Sequence, residues 1–198
     1  VLVFAAPFGS GTMFERATFT SAVLAFVAFC LAAGGTYLIN DARDVEADRQ
    51  HPTKRRRPIA SGIVPVGLAY VLGAVVIVAA LVIGFATARN LGITLVAYLA
   101  LTTAYTLSLK HLPVYDIVAV AAGFVLRAVA GAAATGVAIS PWFFIVTSFG
   151  ALLMVVGKRE GERHLLAEGA SSVRSTLGAY SSGFLLYLRA VASGVVMV

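Results

Sequence analysis

Six apolar runs, each long enough to cross a bilayer, follow one another along the chain, and that succession constrains the fold more than any single residue does. A hydrocarbon core takes roughly 20 apolar residues per helix. Ala17–Ile39, Ile63–Ala88, Leu91–Leu109 and Ala138–Gly157 meet that length without a charge. Val114–Thr135 meets it with Asp116 and Arg127 inside, and Thr176–Val198 with Arg189 inside. Of 198 residues, 60% are hydrophobic and 12% charged, about half the charge of an ordinary soluble domain. As the buried core of a soluble protein, six such helices would leave almost no wettable surface. The expectation is an all-α, polytopic transmembrane helix bundle. No long polar linker and no tandem repeat divides it, so residues 1–198 read as a single membrane domain.

Val1–Phe8 reads as the tail of an apolar segment and lacks the basic stretch and cleavage site of a signal peptide. Thr176–Val198 likewise stops inside an apolar run. The chain is therefore expected to be truncated at both ends, with further spans in the whole protein. Cys30 lies in an apolar run and reads as a small packing residue.

Loop charge sets the orientation. Arg43, Arg49, Lys54, Arg55, Arg56 and Arg57 lie in or beside one loop, Lys110 in the next on the same side, and Lys158, Arg159, Arg163 and Arg174 in the third. The opposite loops carry Arg16 and Arg89. This alternation places the basic side in the cytoplasm and Pro141–Trp142 at the outer interface. The net charge of +6 follows from the same rule. It does not point to nucleic acid, because the basic loops alternate with spans and contain carboxylates.

Chemistry is concentrated where the first span ends, in Asn40-Asp41-Ala-Arg-Asp44-Val-Glu-Ala-Asp48. If the helix continues, Asn40, Asp44, Asp48 and Asp41 fall at about 0°, 40°, 80° and 100° on one face. Three carboxylates on one arc repel each other and need a cation. Carboxylate and amide oxygens suit Mg2+, which keeps some waters and bridges substrate phosphates. His51-Pro-Thr-Lys54-Arg55-Arg56-Arg57 follows at once. A metal and a basic cluster side by side fit a diphosphate, each taking part of its oxygens.

A second constellation lies at the junction of the third and fourth spans, Tyr105-Thr-Leu-Ser-Leu-Lys110-His111-Leu-Pro113-Val-Tyr-Asp116. Pro113 ends one helix and lets the next begin. Arg127 lies eleven residues beyond Asp116, about 20° from it around the helix. Gly123 and Gly131 lie near the same line and are expected to permit close helix packing. Charged groups inside spans face a cavity or a partner. The fifth span ends in Gly157-Lys158-Arg159-Glu160-Gly161-Glu162-Arg163, expected as a loop.

The first constellation resembles the aspartate-rich motif of the UbiA superfamily of intramembrane prenyltransferases, with Asn-Asp-x-x-Asp-x-x-x-Asp complete. The Asp-Gly that opens the motif of the CDP-alcohol phosphotransferases is missing. The second Asp-x-x-x-Asp typical of UbiA enzymes is also missing, and the Lys158–Arg163 segment stands in its place. In this the chain resembles the decaprenyl-phosphate phosphoribosyltransferase branch. That branch's Tyr-x-x-x-Leu-Lys-x-x-Pro-x-x-Asp matches Tyr105 to Asp116, its Phe-x-x-Arg-x-x-x-Gly matches Phe124, Arg127 and Gly131, and its Gly-Lys-Arg-x-x-Glu matches Gly157, Lys158, Arg159 and Glu162.

The resemblance implies a multi-pass enzyme of the bacterial plasma membrane, active at its cytoplasmic face. Such an enzyme moves ribose 5-phosphate from phosphoribosyl diphosphate to a polyprenyl phosphate, for cell-wall arabinan synthesis. It implies Asp41, Asp44 and Asp48 as catalytic residues and, with Asn40, as Mg2+ ligands. It implies Asn40, Lys54, Arg57, Tyr105, Lys110, Asp116, Arg127, Lys158, Arg159 and Glu162 as substrate-binding residues. The nucleophile would be an ionised phosphate oxygen, which needs no general base, so His51, His111 and His164 are left without a catalytic part. The alternative within the superfamily is prenyl transfer from a polyprenyl diphosphate to an aromatic or lipid acceptor. A transporter would place its polar groups near the midplane, whereas here most charge gathers at one face.

Overall fold

The computed structural model describes residues 1–167 and 176–197, and every regular element among them is helical. A 3-10 turn at Leu2–Phe4 leads into α1 (Ala5–Gly9), then α2 (Arg16–Arg43), α3 (Val45–Gln50), α4 (Val66–Thr87), α5 (Arg89–Leu107), α6 (Tyr115–Thr135), α7 (Pro141–Ala167) and α8 (Ser182–Met197). Five of these, α2, α4, α5, α6 and α7, are long and apolar enough to cross a membrane.

Their apolar surface is inverted relative to a soluble bundle. On α2 the buried positions are mostly small, among them Ala22, Ala25, Ala28, Ala32 and Gly35. On α4 the bulky residues Val71, Val75, Val78, Val82 and Phe85 point outward. Lipid is as apolar as leucine, so helices in a membrane associate through small residues that let backbones touch. Gly35 and Gly73 show this: a Cβ on Gly35 would sit 2.8 Å from the Gly73 carbonyl oxygen. Gly131 does the same for the N-terminal turn, whose Val3 carbonyl occupies the space a Cβ would need. The expected packing role therefore holds at Gly131. At Gly123 the added Cβ would meet only the Arg127 guanidinium, 3.9 Å away, so this glycine leaves room for that side chain.

Helix ends follow local chemistry. The Ser140 hydroxyl accepts the Phe143 N–H at 3.0 Å, with Pro141 as the first helical residue of α7. Gly136 ends α6 in the left-handed region at φ 71°.

Two expectations are corrected. The sixth run begins its helix later than expected, at Ser182 rather than at Thr176. Leu177–Ala179 turns instead as a 3-10 helix, and α8 starts where Ser181 caps the Phe184 N–H at 3.1 Å. The second correction concerns Lys158–Arg163, which is not a loop: α7 runs through it to Ala167. The segment is rich in good helix formers and has no proline, and Arg159 pairs with Glu162 one turn on, at 3.0 Å. Arg174 and the side chain of His164 lie outside the described residues.

Candidate active site

Helix α2 continues past its apolar part, so Asn40 and Asp41 belong to its last turn. Asp44 (φ −90°, ψ 12°) interrupts the helix for one residue, yet the Asp48 N–H still donates to the Asp44 carbonyl at 2.9 Å. Of the residues aligned in sequence, Asp41 and Asp48 stay together across the break. Asp41 and Asp48 converge on one atom: Arg57 Nη1 donates to Asp41 Oδ1 at 2.7 Å and to Asp48 Oδ2 at 2.8 Å. Lys54 Nζ lies 3.7 Å from the other Asp48 oxygen. Asp48 is buried, while Arg57 and Lys54 stay 40% and 45% exposed in their side chains.

The cation that the acidic arc requires is thus supplied within the chain, by the loop that follows it. His51 shapes that loop. Its Nδ1 accepts the Thr53 N–H at 3.3 Å and the Lys54 N–H at 3.4 Å, capping the 3-10 turn Lys54–Arg56.

Asp44 is half-buried and makes no ion pair among the described residues. Asn40 faces elsewhere, into a cavity of about 340 Å³ between α2, α4 and α5. Thr36, Ile39, Ile77, Leu99 and Thr102 line its body, and Asn40 and Arg43 stand at the end where α2 turns polar. Among the described residues no three His, Cys, Asp or Glu side chains form a metal cage. Mg2+ does not need one, since it is commonly held by one or two carboxylates and completed by waters and phosphate oxygens. Two carboxylate oxygens within reach of a single nitrogen position fit that mode.

The second constellation also comes together, but inside the protein. Asp116 sits in the first turn of α6 and is 0% exposed. Arg159, 1% exposed, reaches it from α7 with a two-point fork, Nε to Oδ2 at 2.9 Å and Nη2 to Oδ1 at 3.1 Å. The Tyr105 hydroxyl donates to Oδ1 at 2.9 Å, and Arg159 Nη1 donates to Glu162 at 3.0 Å. Four of the expected substrate-binding residues therefore form one network joining the ends of α5, α6 and α7. Both faces of the Arg159 guanidinium fork are spent on carboxylates, which leaves it as a tie between helices.

Just before Asp116 the backbone makes a γ-turn. Val114 has φ 68° and ψ −52°, and the Tyr115 N–H donates to the Pro113 carbonyl at 2.8 Å. Such a turn is strained for a β-branched residue. The hydroxyl of Tyr180, 66 residues away in sequence, accepts the Val114 N–H at 3.0 Å and holds it.

Lys110 is half-buried in the Leu109–His111 turn, and Lys158 is exposed on α7. Neither has an acidic partner among the described residues. Arg127 lies about 16 Å along α6 from Asp116, too deep to share its network. Its Nη2 donates to the Tyr98 hydroxyl at 2.8 Å and its Nη1 to the Gly123 carbonyl at 3.3 Å, with the Tyr98 and Phe124 rings beside it. Tyr98 and Tyr180 were not singled out from sequence. The one available signal was that a buried tyrosine hydroxyl needs a partner.

Comparison with known proteins gives a consistent picture. The UbiA prenyltransferase family matches residues 2–194. A protein of Mycolicibacterium smegmatis named decaprenyl-phosphate phosphoribosyltransferase is 47% identical over 192 residues, covering 95% of this chain and 60% of that protein. One of the same name from Corynebacterium glutamicum is 44% identical over 203 residues, covering 100% of this chain and 60% of that protein. The chain thus spans about 60% of the length of these curated relatives. Among solved structures, a UbiA homolog from Archaeoglobus fulgidus bound to DMAPP and Mg2+ superposes with a TM-score of 0.77 at 19% identity, covering 98% of this chain and 72% of that one. At that identity the likeness concerns the fold.

Proposed function

The chain belongs to the UbiA prenyltransferase family and is a multi-pass membrane protein, and from that premise we propose that it carries the catalytic face of a phosphoribosyltransferase acting on a polyprenyl phosphate. The donor is phosphoribosyl diphosphate and the leaving group is diphosphate. The observation that carries this reading is the convergence of Asp41 and Asp48 on a single cation position, with Lys54 and Arg57 beside it. The names of the relatives support the choice of donor and acceptor. The positive-inside pattern supports a cytoplasmic position for this end of the bundle, where a water-soluble donor is available.

Mg2+ held by Asp41 and Asp48 would offset the charge that develops on the departing diphosphate. The chain's own groups do the rest. Lys54 and Arg57 offer charge-assisted hydrogen bonds to diphosphate oxygens that carry no metal. Lys110 and Lys158 are cations without acidic partners among the described residues, suited to the 5-phosphate and the lipid phosphate. The acceptor arrives ionised: its phosphate oxygen forms the new bond to C1 of the ribose as the C1–O bond to diphosphate breaks, so no side chain has to remove a proton. Holding two anionic reactants in line is then the main task, which the cations gathered at this end of the bundle perform. The cavity beside Asn40 is predominantly apolar and gives the first isoprene units a place next to the polar end of α2.

The same cavity favours one other reading, in which a polyprenyl diphosphate is the donor and the prenyl group itself is transferred. Incubating the full-length protein with labelled phosphoribosyl diphosphate and polyprenyl phosphate, with and without Mg2+, tests the proposal. Metal-dependent formation of polyprenyl phosphoribose is the expected result. Prenyl transfer to an aromatic acid, without turnover of phosphoribosyl diphosphate, would overturn it.

A further inference from the structure

Arg57 and a divalent cation have a claim on the same position. Arg57 Nη1 sits 2.7 Å from Asp41 Oδ1 and 2.8 Å from Asp48 Oδ2. An ion liganded by those two oxygens has no room beside a guanidinium nitrogen bonded to both, and the two charges repel. From this we infer that Arg57 is a built-in counter-ion of the acidic pair, displaced when the metal–diphosphate enters and transferred onto the diphosphate. The inference rests on reading Asp41 and Asp48 as the metal-binding pair, and it assigns that site a gate.

Three features make the exchange feasible. First, the partners differ in freedom. Asp48 keeps only 4% of its side chain exposed, whereas Arg57 keeps 40%. The acid is anchored, and the arginine can swing on its own side-chain torsions. Second, Arg57 uses Nη1 alone in these contacts. Of the five N–H donors of a guanidinium, those on Nε and Nη2 have no acceptor among the described residues. They are available to phosphate oxygens, which favour a two-point fork. Third, its backbone is already extended (φ −62°, ψ 145°) at the end of the Lys54–Arg56 turn, and Pro58 follows it. Moving the side chain therefore unwinds no helix.

The arrangement has a functional consequence. Two carboxylates close together would otherwise collect divalent cations without substrate. With Arg57 seated on them, free metal must displace a bonded cation and gains no new home for it. Metal that arrives with diphosphate supplies that home. Arg57 thereby couples metal binding to substrate binding, and by linkage the coupling is reciprocal.

Mn2+ binding to the full-length protein in detergent, followed by electron paramagnetic resonance with and without inorganic diphosphate, tests this directly. Arg57→Gln keeps hydrogen-bonding capacity and removes the charge. It should tighten Mn2+ binding in the absence of diphosphate and shrink the tightening that diphosphate brings, each by about five-fold or more. Arg57→Lys keeps a charge but loses the fork, so it should shift both quantities in the same directions by less, and it decides the matter if Arg57→Gln does not fold. Unchanged or weaker Mn2+ binding in these variants, while Asp48→Asn abolishes it, would overturn the gate and leave the metal site standing. Mn2+ binding indifferent to Asp41→Asn and Asp48→Asn would overturn the metal site and the gate together.

Discussion

Arg57 and Arg159 both bind carboxylates at the basic end of the bundle, yet Arg57 keeps 40% of its side chain exposed and Arg159 keeps 1%. The first pairs with acids that lie 9 and 16 residues before it, on the two helices that lead into its own loop. The second pairs with an acid 43 residues away on another span. Both ion pairs are short, so distance does not separate them. Exposure and saturation do. A guanidinium with spare donors and an open side can change partners, whereas one enclosed by Asp116 and Glu162 cannot do so without opening the bundle. The comparison shows an architectural part for the second constellation, in which Tyr105, Asp116, Arg159 and Glu162 tie three helix ends together, and among the described residues Lys110 and Lys158 there have no acidic partner.

The strongest way to break the comparison is to break the buried pair. Arg159→Ala leaves Asp116 charged and enclosed, and a buried pair broken on one side costs about 3–5 kcal/mol. Thermal unfolding in detergent should show this loss, and the double variant Asp116→Leu with Arg159→Met should recover much of it. A stable Arg159→Ala protein with selectively poor use of phosphoribosyl diphosphate would return Arg159 to the substrate site. The exposed cluster should respond in the opposite sense. Asp48→Asn is expected to lower turnover roughly a hundred-fold, about 2.7 kcal/mol in barrier, with little change in melting temperature and a higher Mg2+ requirement.

Smaller effects sharpen the contrast. Lys158→Ala should raise KM for phosphoribosyl diphosphate by roughly ten-fold, about 1.4 kcal/mol, without affecting orientation, because many basic residues still mark that side. An unchanged KM would leave Lys158 to topology alone. Tyr180→Phe removes the hydroxyl that holds the Val114 turn. It should cost about 1 kcal/mol of stability, and hydrogen exchange should show faster opening at residues 112–116 and no change at the Asp41–Asp48 turn. Equal loosening at both turns would mean that the two regions are one cooperative unit.

How much of this was legible beforehand differs between the two regions for a physical reason. The pairing of Asp41 with Asp48 could be drawn from sequence because the two lie within two turns of each other, the one-residue break at Asp44 does not separate them, and 100° per residue is a local property. Its counter-ion was also near in sequence, so Arg57 was already among the candidates. The Asp116–Arg159 fork could not be drawn. Both residues were named, but nothing in a separation of 43 residues says which carboxylate an arginine will meet. The helical course of Lys158–Arg163 was missed for a related reason: its charges read as a solvated loop, while the structure gives Arg159 a buried acid that holds the helix inward.

The sequence by itself determined the all-helical bundle, since a backbone in hydrocarbon must satisfy its own hydrogen bonds and a helix is the local way to do so. It also determined which end is basic and which turn carries the acids. Only the tertiary structure decided that α7 carries its charges on a helix rather than a loop, that Tyr180 holds a strained turn 66 residues away, and that one arginine keeps an exposed side chain while another is enclosed. Those outcomes depend on what each side chain meets across the bundle, and burial, which turns an exchangeable ion pair into a fixed one, exists only once the helices have packed.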